Sequence, residues 1–171
     1  APADAPRIER YWSATEVVSS ARGRIERDPV RALEMLQETL RSVVAARLVS
    51  DVPLGAFLSG GVDSSLVTAM MCLESSTPVR TFSIGFEESA YDEAAHARAV
   101  AEHLGTDHTE LYVTAAEAQA AIPRLAGIYT EPFADSSQLP MALLCQLTRR
   151  HVTVALSGDG GDELFFGYTR Y

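Results

Sequence analysis

The stretch Val52-Pro53-Leu54-Gly55-Ala56-Phe57-Leu58-Ser59-Gly60-Gly61-Val62-Asp63-Ser64-Ser65 decides the fold. Its apolar run from Leu54 to Leu58 has the length of a buried strand and stops at Ser59-Gly60-Gly61. Asp63 to Leu73 then reads as a helix, with Leu66, Val67, Met70 and Met71 directed inward. A strand that turns through glycines into a helix opens a β–α unit. Working outward, the alternation repeats. Val79–Phe86 and Glu110–Val113 read as strands, with helices over Asp92–Leu104, which Gly105 closes, and Ala115–Ile128, which runs through Pro123. Leu139–Arg150 is a further helix, with Arg149 and Arg150 at its C-terminal end. Val152–Leu156 is the most strand-like run of the chain and stops at a second glycine-rich loop. This order predicts an α/β fold, a parallel sheet with helices on both faces.

Upstream of this region, residues 1–29 are polar and punctuated by prolines. They read as a linker or the tail of an upstream domain, with Tyr11 and Trp12 as bulky anchors. A helix is expected from Val30, with Asp28 as N-cap and Pro29 at the first position. Leu33, Leu36, Leu40, Val43, Val44 and Leu48 give it one apolar stripe. Residues 30–171 are therefore read as the working domain.

The 171 residues carry 23 acidic side chains against 14 basic ones, a net charge of −9. Every basic residue is arginine; the sequence contains no lysine. The acidic balance argues against a nucleic-acid partner, and no apolar run reaches the roughly 18 residues of a membrane span. Cys72 and Cys145 fit neither a zinc site nor a disulfide framework. They read as buried thiols of a reducing compartment, which places the chain in the cytoplasm. His96, His103, His108 and His151 form no metal-ligand pattern and read as surface or structural residues.

Two loops carry the chemistry. In the first, Ser59 to Ser65, glycines let the backbone approach an anion, while the new helix offers free N–H groups and Ser59, Ser64 and Ser65 add hydroxyls. It is not a Walker A loop, since no lysine exists, and its glycine spacing is not that of a dinucleotide fingerprint. Asp63 would repel a bare phosphate, so it belongs in such a cradle with a divalent cation; otherwise it caps the helix. Taken alone, Gly60-Gly61 is equally the mark of a simple turn. The second loop, Ser157-Gly158-Asp159-Gly160-Gly161-Asp162-Glu163, gathers three carboxylates that repel one another unless a cation relieves them. Mg²⁺ typically uses one or two carboxylates plus substrate phosphates, and Asp63 with Asp162 fits that pattern. An acidic surface turn that starts the next helix is the alternative.

These segments resemble a known family. Val52–Ser65 resembles the pyrophosphate loop of the N-type ATP pyrophosphatases. Together with Ser157–Leu164, Thr81-Phe82-Ser83-Ile84-Gly85-Phe86 and Glu131-Pro132-Phe133-Ala134-Asp135, it closely resembles the synthetase domain of glutamine-hydrolysing asparagine synthetases, from about Val30 to the last residue. The first element alone is shared with GMP, argininosuccinate and tRNA-modifying enzymes; the four together are specific.

The resemblance implies the Rossmann-like adenine nucleotide alpha hydrolase (PP-loop) fold, here incomplete. It implies ATP and Mg²⁺, adenylation of a carboxylate with release of pyrophosphate, and amide formation by ammonia from a glutaminase domain of the same polypeptide. Ser59, Gly60, Gly61, Asp63, Ser64 and Ser65 would hold the leaving phosphates; Asp63 and Asp162 would hold Mg²⁺; and Leu58, Ile84, Ser157 and Gly158 would line the adenosine site, Ile84 packing on the base. Asp159 and Glu163 would orient substrate or begin the next helix. A homodimer is compatible with this reading.

The chain departs from the pattern at three points. It shows no cysteine-led glutaminase domain, and it lacks the lysine expected beyond the acidic loop to stabilise charge in adenylation. Asp135-Ser136-Ser137-Gln138-Leu139-Pro140 also lacks the threonine and arginine that some aspartate-using members present. A part of a longer enzyme is expected, with aspartate as the first candidate acceptor and another carboxylate as the alternative.

Overall fold

A computed structural model describes residues 7–86, 94–132 and 134–168. The chain divides into two compact units, Ala1–Glu38 and Thr39–Tyr171. In the first, residues read as linker form α1 (Ala14–Ala21) and a 3-10 turn (Arg22–Arg24). Ser13 caps α1, its hydroxyl accepting from the Glu16 N–H. Tyr11 and Trp12 are 101% and 63% exposed, so they anchor nothing. Helix α2 (Pro29–Arg47) starts as its sequence dictates, with Asp28 Oδ1 accepting from Val30 N at 2.9 Å. Of its apolar stripe only Val44 is fully buried, and Leu33 is 65% exposed.

The second unit is built on a four-stranded sheet of order β3-β2-β1-β4, comprising β1 (Leu54–Phe57), β2 (Arg80–Phe86), β3 (Asp107–Val113) and β4 (Val154–Leu156). All three pairings are parallel, as the strand–helix alternation predicts. The connecting helices are α3 (Val62–Glu74), α4 (Ala94–Leu104), α5 (Ala115–Ile128) and α6 (Gln138–Thr148), and α7 (Gly161–Phe165) follows β4. Strand side chains alternate between faces. Ala56 packs with Val44 of α2 and Met70 and Met71 of α3, whereas Phe57 packs with Phe82 and Leu144 of α6. No helix among the described residues is long and apolar enough to cross a membrane.

Three expectations need correction. In α3 the buried face includes Ser64 and Thr68 with Met70 and Met71, while Leu66 is 36% exposed. Apolar counting misses this face because Thr68 can bury its hydroxyl by donating to Ser64 O at 2.8 Å. The β4 ladder spans three residues rather than the five of Val152–Leu156, because Val152 turns inward to the Phe82–Leu144 cluster before pairing begins. The two thiols are free but not both buried: Cys72 is half-buried and Cys145 exposed. Burial of their surroundings still pushes both thiols above the usual range.

Candidate functional site

Ligands of open parallel sheets bind beyond the carboxyl ends of the strands, where the strand order reverses. Here β1 is followed outward by β2 and β3 on one side and by β4 on the other, so the switch lies between β1 and β4. The two glycine-rich loops leave those two strands. They open on one cavity of about 1020 Å³, at the upper end of the range for small-molecule sites, about 300–1,000 Å³.

The first loop is tied by its own side chains. The Gly61 N–H donates to Ser59 Oγ at 3.2 Å, Ser59 Oγ lies 2.9 Å from Ser64 Oγ, and Ser64 Oγ donates to Gly61 O at 3.2 Å. Ser64 Oγ also accepts from Ser59 N at 3.2 Å. Helix α3 then begins at Gly61 with no side-chain cap, leaving its first N–H groups available to an anion. Gly60 has φ +81°, and a Cβ there would lie 2.7 Å from the backbone of His96 and Ala97 in α4. Only glycine fits that position.

The second loop lies on the first. A Cβ on Gly158 would sit 2.7 Å from Ser64 N, and one on Gly161 would strike the Asp63 carboxylate. Ser157 Oγ donates to Asp159 Oδ2 at 3.0 Å and accepts from Asp159 N at 3.3 Å. The cavity wall thus includes Asp63, Asp159, Asp162 and Glu163, with Asp135 across from the α5–α6 connection. Among the described residues no arginine or histidine lines it. The only charged side chains a polyphosphate would meet here are negative, a donor set compatible with a Mg²⁺ ion held by one or two carboxylates. No group of three or more potential ligands is gathered among the described residues.

All the sequence-predicted site residues line this cavity except Gly60 and Ser65. Gly60 shapes the loop from behind, against α4. Ser65 Oγ is buried and unbonded among the described residues, and Ser65 does not line the cavity. Leu58 is 1% exposed, with its side chain against Ala97 and Ala101, so its share of the wall is main chain. Ile84 packs beside Phe82 and Leu144 and is half-buried. Sequence reading missed Tyr129 and Met141 and marked Ser137 and Gln138 only as part of a segment that departs from aspartate-using members; all four line the cavity. One signal was present: Asp135 Oδ1 accepts from Ser137 N at 2.8 Å and Ser137 Oγ at 2.7 Å, an Asx turn ahead of α6. Of the segment Glu131–Asp135, Phe133 lies outside the described residues, as does Asp92 of the expected helix start.

A polar network, part-buried at His108 and exposed at Arg98 and Tyr112, links β2, β3 and α4. His108 Nδ1 lies 2.8 Å from Thr81 Oγ1, and His108 Nε2 lies 3.2 Å from Ser83 Oγ. Thr81 Oγ1 also meets Thr106 Oγ1 at 2.8 Å. Arg98 of α4 donates to both Glu110 carboxylate oxygens, at 2.8 and 2.6 Å, and to Tyr112 Oη at 2.9 Å. That bidentate bond holds the Glu110 carboxyl below its usual range and the Arg98 guanidinium above its own. Burial pushes the His108 imidazole down; Glu110 opposes that shift and Arg98 reinforces it.

The family model for asparagine synthase matches residues 35–171. The chain belongs to the asparagine synthase family. A Methanocaldococcus jannaschii protein provisionally named glutamine-hydrolysing asparagine synthetase 2 is 42% identical over 142 residues, 82% of this chain and 27% of its own length. The glutamine-hydrolysing asparagine synthetase 1 of Bacillus subtilis is 33% identical over 147 residues, 86% of this chain and 23% of its own. This asparagine synthase family chain thus spans about a quarter of the length of the curated relatives it matches. Among solved structures, the NMN synthetase of Francisella tularensis superimposes with TM-score 0.56 at 16% identity, covering 79% of this chain and 58% of its own. The NH3-dependent NAD synthetase of Campylobacter jejuni gives 0.53 at 18% identity, covering 79% and 60%. The fold is the Rossmann-like adenine nucleotide alpha hydrolase fold, in part.

Proposed function

We propose that this chain is the nucleotide-binding part of an asparagine synthetase, acting in the cytoplasm within a longer polypeptide that also carries a glutaminase domain. The observation that carries this reading is the meeting of two loops from neighbouring strands, with Asp63 and Asp162 in the wall of one cavity. The reaction begins when the acceptor carboxylate attacks the α-phosphorus of ATP. A carboxylate O–P bond forms and the bond to the β-phosphate oxygen breaks, so pyrophosphate leaves with the electron pair. Ammonia then attacks the acyl carbon, AMP departs, and an amide remains. Aspartate is the proposed acceptor and asparagine the product.

In this reading the Ser59 and Ser64 hydroxyls and the first N–H groups of α3 receive the leaving pyrophosphate. Asp63 and Asp162 would hold Mg²⁺, which would supply positive charge for the leaving phosphates. Ile84 packs on the base, while the main chain of Leu58, Ser157 and Gly158 borders the adenosine. Asp159, fixed by Ser157, faces the acceptor side. Donors fixed before the reaction need no reorganisation as charge develops, and this is what the interlocked serines supply.

Calorimetry tests the reading. The chain should bind ATP with Mg²⁺, and Asp63→Asn should weaken that binding by about tenfold or more, on the scale of one lost charge-assisted contact, while metal-free binding stays the same or strengthens as the repulsion is removed. Equal Mg²⁺ dependence in both proteins would remove the metal-bridge argument. A second reading, a nucleotide-binding module that does not complete the reaction, is favoured by the absence of any cationic side chain on the cavity wall among the described residues. Pyrophosphate release on adding aspartate separates the two.

A further inference from the structure

We infer that His108 is a positioning residue for the adenosine end of the cavity, acting through Ser83. This rests on the proposed assignment of Ile84 to the base. Ser83 and Ile84 both line the cavity, and Ser83 is 3% exposed. Its hydroxyl has the His108 ring as partner at 3.2 Å, and the same ring meets Thr81 at 2.8 Å. Thr81, Ser83 and His108 share one face of the sheet, because β2 and β3 pair in register with Thr81 opposite His108. The imidazole therefore spans two alternate residues of β2 from the neighbouring strand. Whichever nitrogen carries the proton, each hydroxyl finds a complementary partner, since a hydroxyl donates or accepts.

The rest of the network holds the ring in place. Thr106 backs Thr81. Glu110, 3.5 Å from Nε2, is itself clamped by Arg98 from α4, which also holds Tyr112. These groups surround His108 from β2, the turn before β3, β3 itself and α4. Burial favours the neutral ring, so at neutral pH it works as a hydrogen-bonding bridge and not as a charge. Backbone pairing alone fixes β2 along the ladder; the side-chain bridge adds a restraint at Thr81 and at Ser83, the residue just before Ile84. Loosening that restraint should be felt by the adenosine moiety and not by the phosphates, which sit at the glycine loops.

The test uses the 171-residue chain with three ligands: ATP with Mg²⁺, AMP, and inorganic pyrophosphate with Mg²⁺. His108→Ala and Ser83→Ala should each weaken ATP and AMP binding by about fivefold to tenfold, the scale of one buried hydrogen bond, while pyrophosphate changes by less than about twofold. The double variant should be no worse than either single one, because both remove the same bridge. His108→Gln, which can present an amide near the Nε2 position, should recover much of the loss. Long-range ¹H–¹⁵N spectra of the unaltered chain add a readout independent of folding in the variants: AMP should shift the His108 ring nitrogens and pyrophosphate should not. Parallel losses for ATP and pyrophosphate, additive single effects, or ring signals indifferent to AMP would each overturn the assignment. Failure of the unaltered chain to bind any of the three ligands would instead overturn the nucleotide reading, and the inference with it.

Discussion

The two glycine-rich loops follow neighbouring strands and reach the same cavity, yet they are held in different ways. The first is closed by hydrogen bonds among Ser59, Gly61 and Ser64 and runs into a helix of 13 residues. The second has the Ser157–Asp159 pair and a turn from Gly161 N to Gly158 O at 3.2 Å, and its helix has five residues. That helix exposes Leu164 at 74% and ends at Phe166, itself 78% exposed and left-handed at φ 58°. The first loop therefore carries its own shape. The second takes its position by resting Gly158 and Gly161 on Ser64 and Asp63. A preformed cradle and a dependent lid wall meet at one carboxylate.

The sharpest way to break this comparison is Gly60→Ala. A left-handed alanine costs about 1–2 kcal/mol, and its Cβ would press on the fixed backbone of α4. The expected loss is about 3 kcal/mol, which for a domain of this size lowers Tm by about 6–12 °C in a thermal melt. A loss of only a degree or two would mean that α4 yields freely and the first loop is not rigid. Gly161→Ala comes next and separates binding from folding. Its Cβ would strike the end of the Asp63 side chain, which can swing aside, so stability should change by less than about 1 kcal/mol. Binding of ATP with Mg²⁺ should fall about tenfold, because the carboxylate moves off its position. Unchanged binding would show that the second loop does not set Asp63.

Much of this was legible beforehand, for identifiable reasons. Strand β1 and helix α3 follow from an apolar run broken by two glycines, and the start of α2 from Asp28 ahead of Pro29. That the loops meet was not legible from local pattern, since it depends on β4 pairing with β1 across a hundred residues of chain. Tyr129 and Met141 were missed because they belong to helix ends whose direction local sequence does not set. By sequence His108 reads as a surface or structural residue; its contacts to Thr81 and Ser83 depend on the parallel register of β2 and β3, which periodicity cannot supply. Helix α1 was lost among prolines and polar residues, though Ser13 with Glu16 three residues on is a capping pattern.

The smallest expected effect makes the finest distinction. Gly160 has φ +93°, close to that of Gly60, but a Cβ there would meet nothing within 4 Å. Gly160→Ala should therefore show the conformational cost alone, about 1 kcal/mol, without the steric part. Asparagine tolerates the left-handed region better than alanine, so Gly160→Asn should recover part of that loss. Gly60→Asn should recover at most that dihedral part and keep the steric loss, because any Cβ at Gly60 still meets the α4 backbone. Chemical denaturation of the four variants checks this pattern. Equal behaviour at the two glycines would mean that crowding contributes nothing at Gly60, and the first loop would lose its claim to be the preformed one.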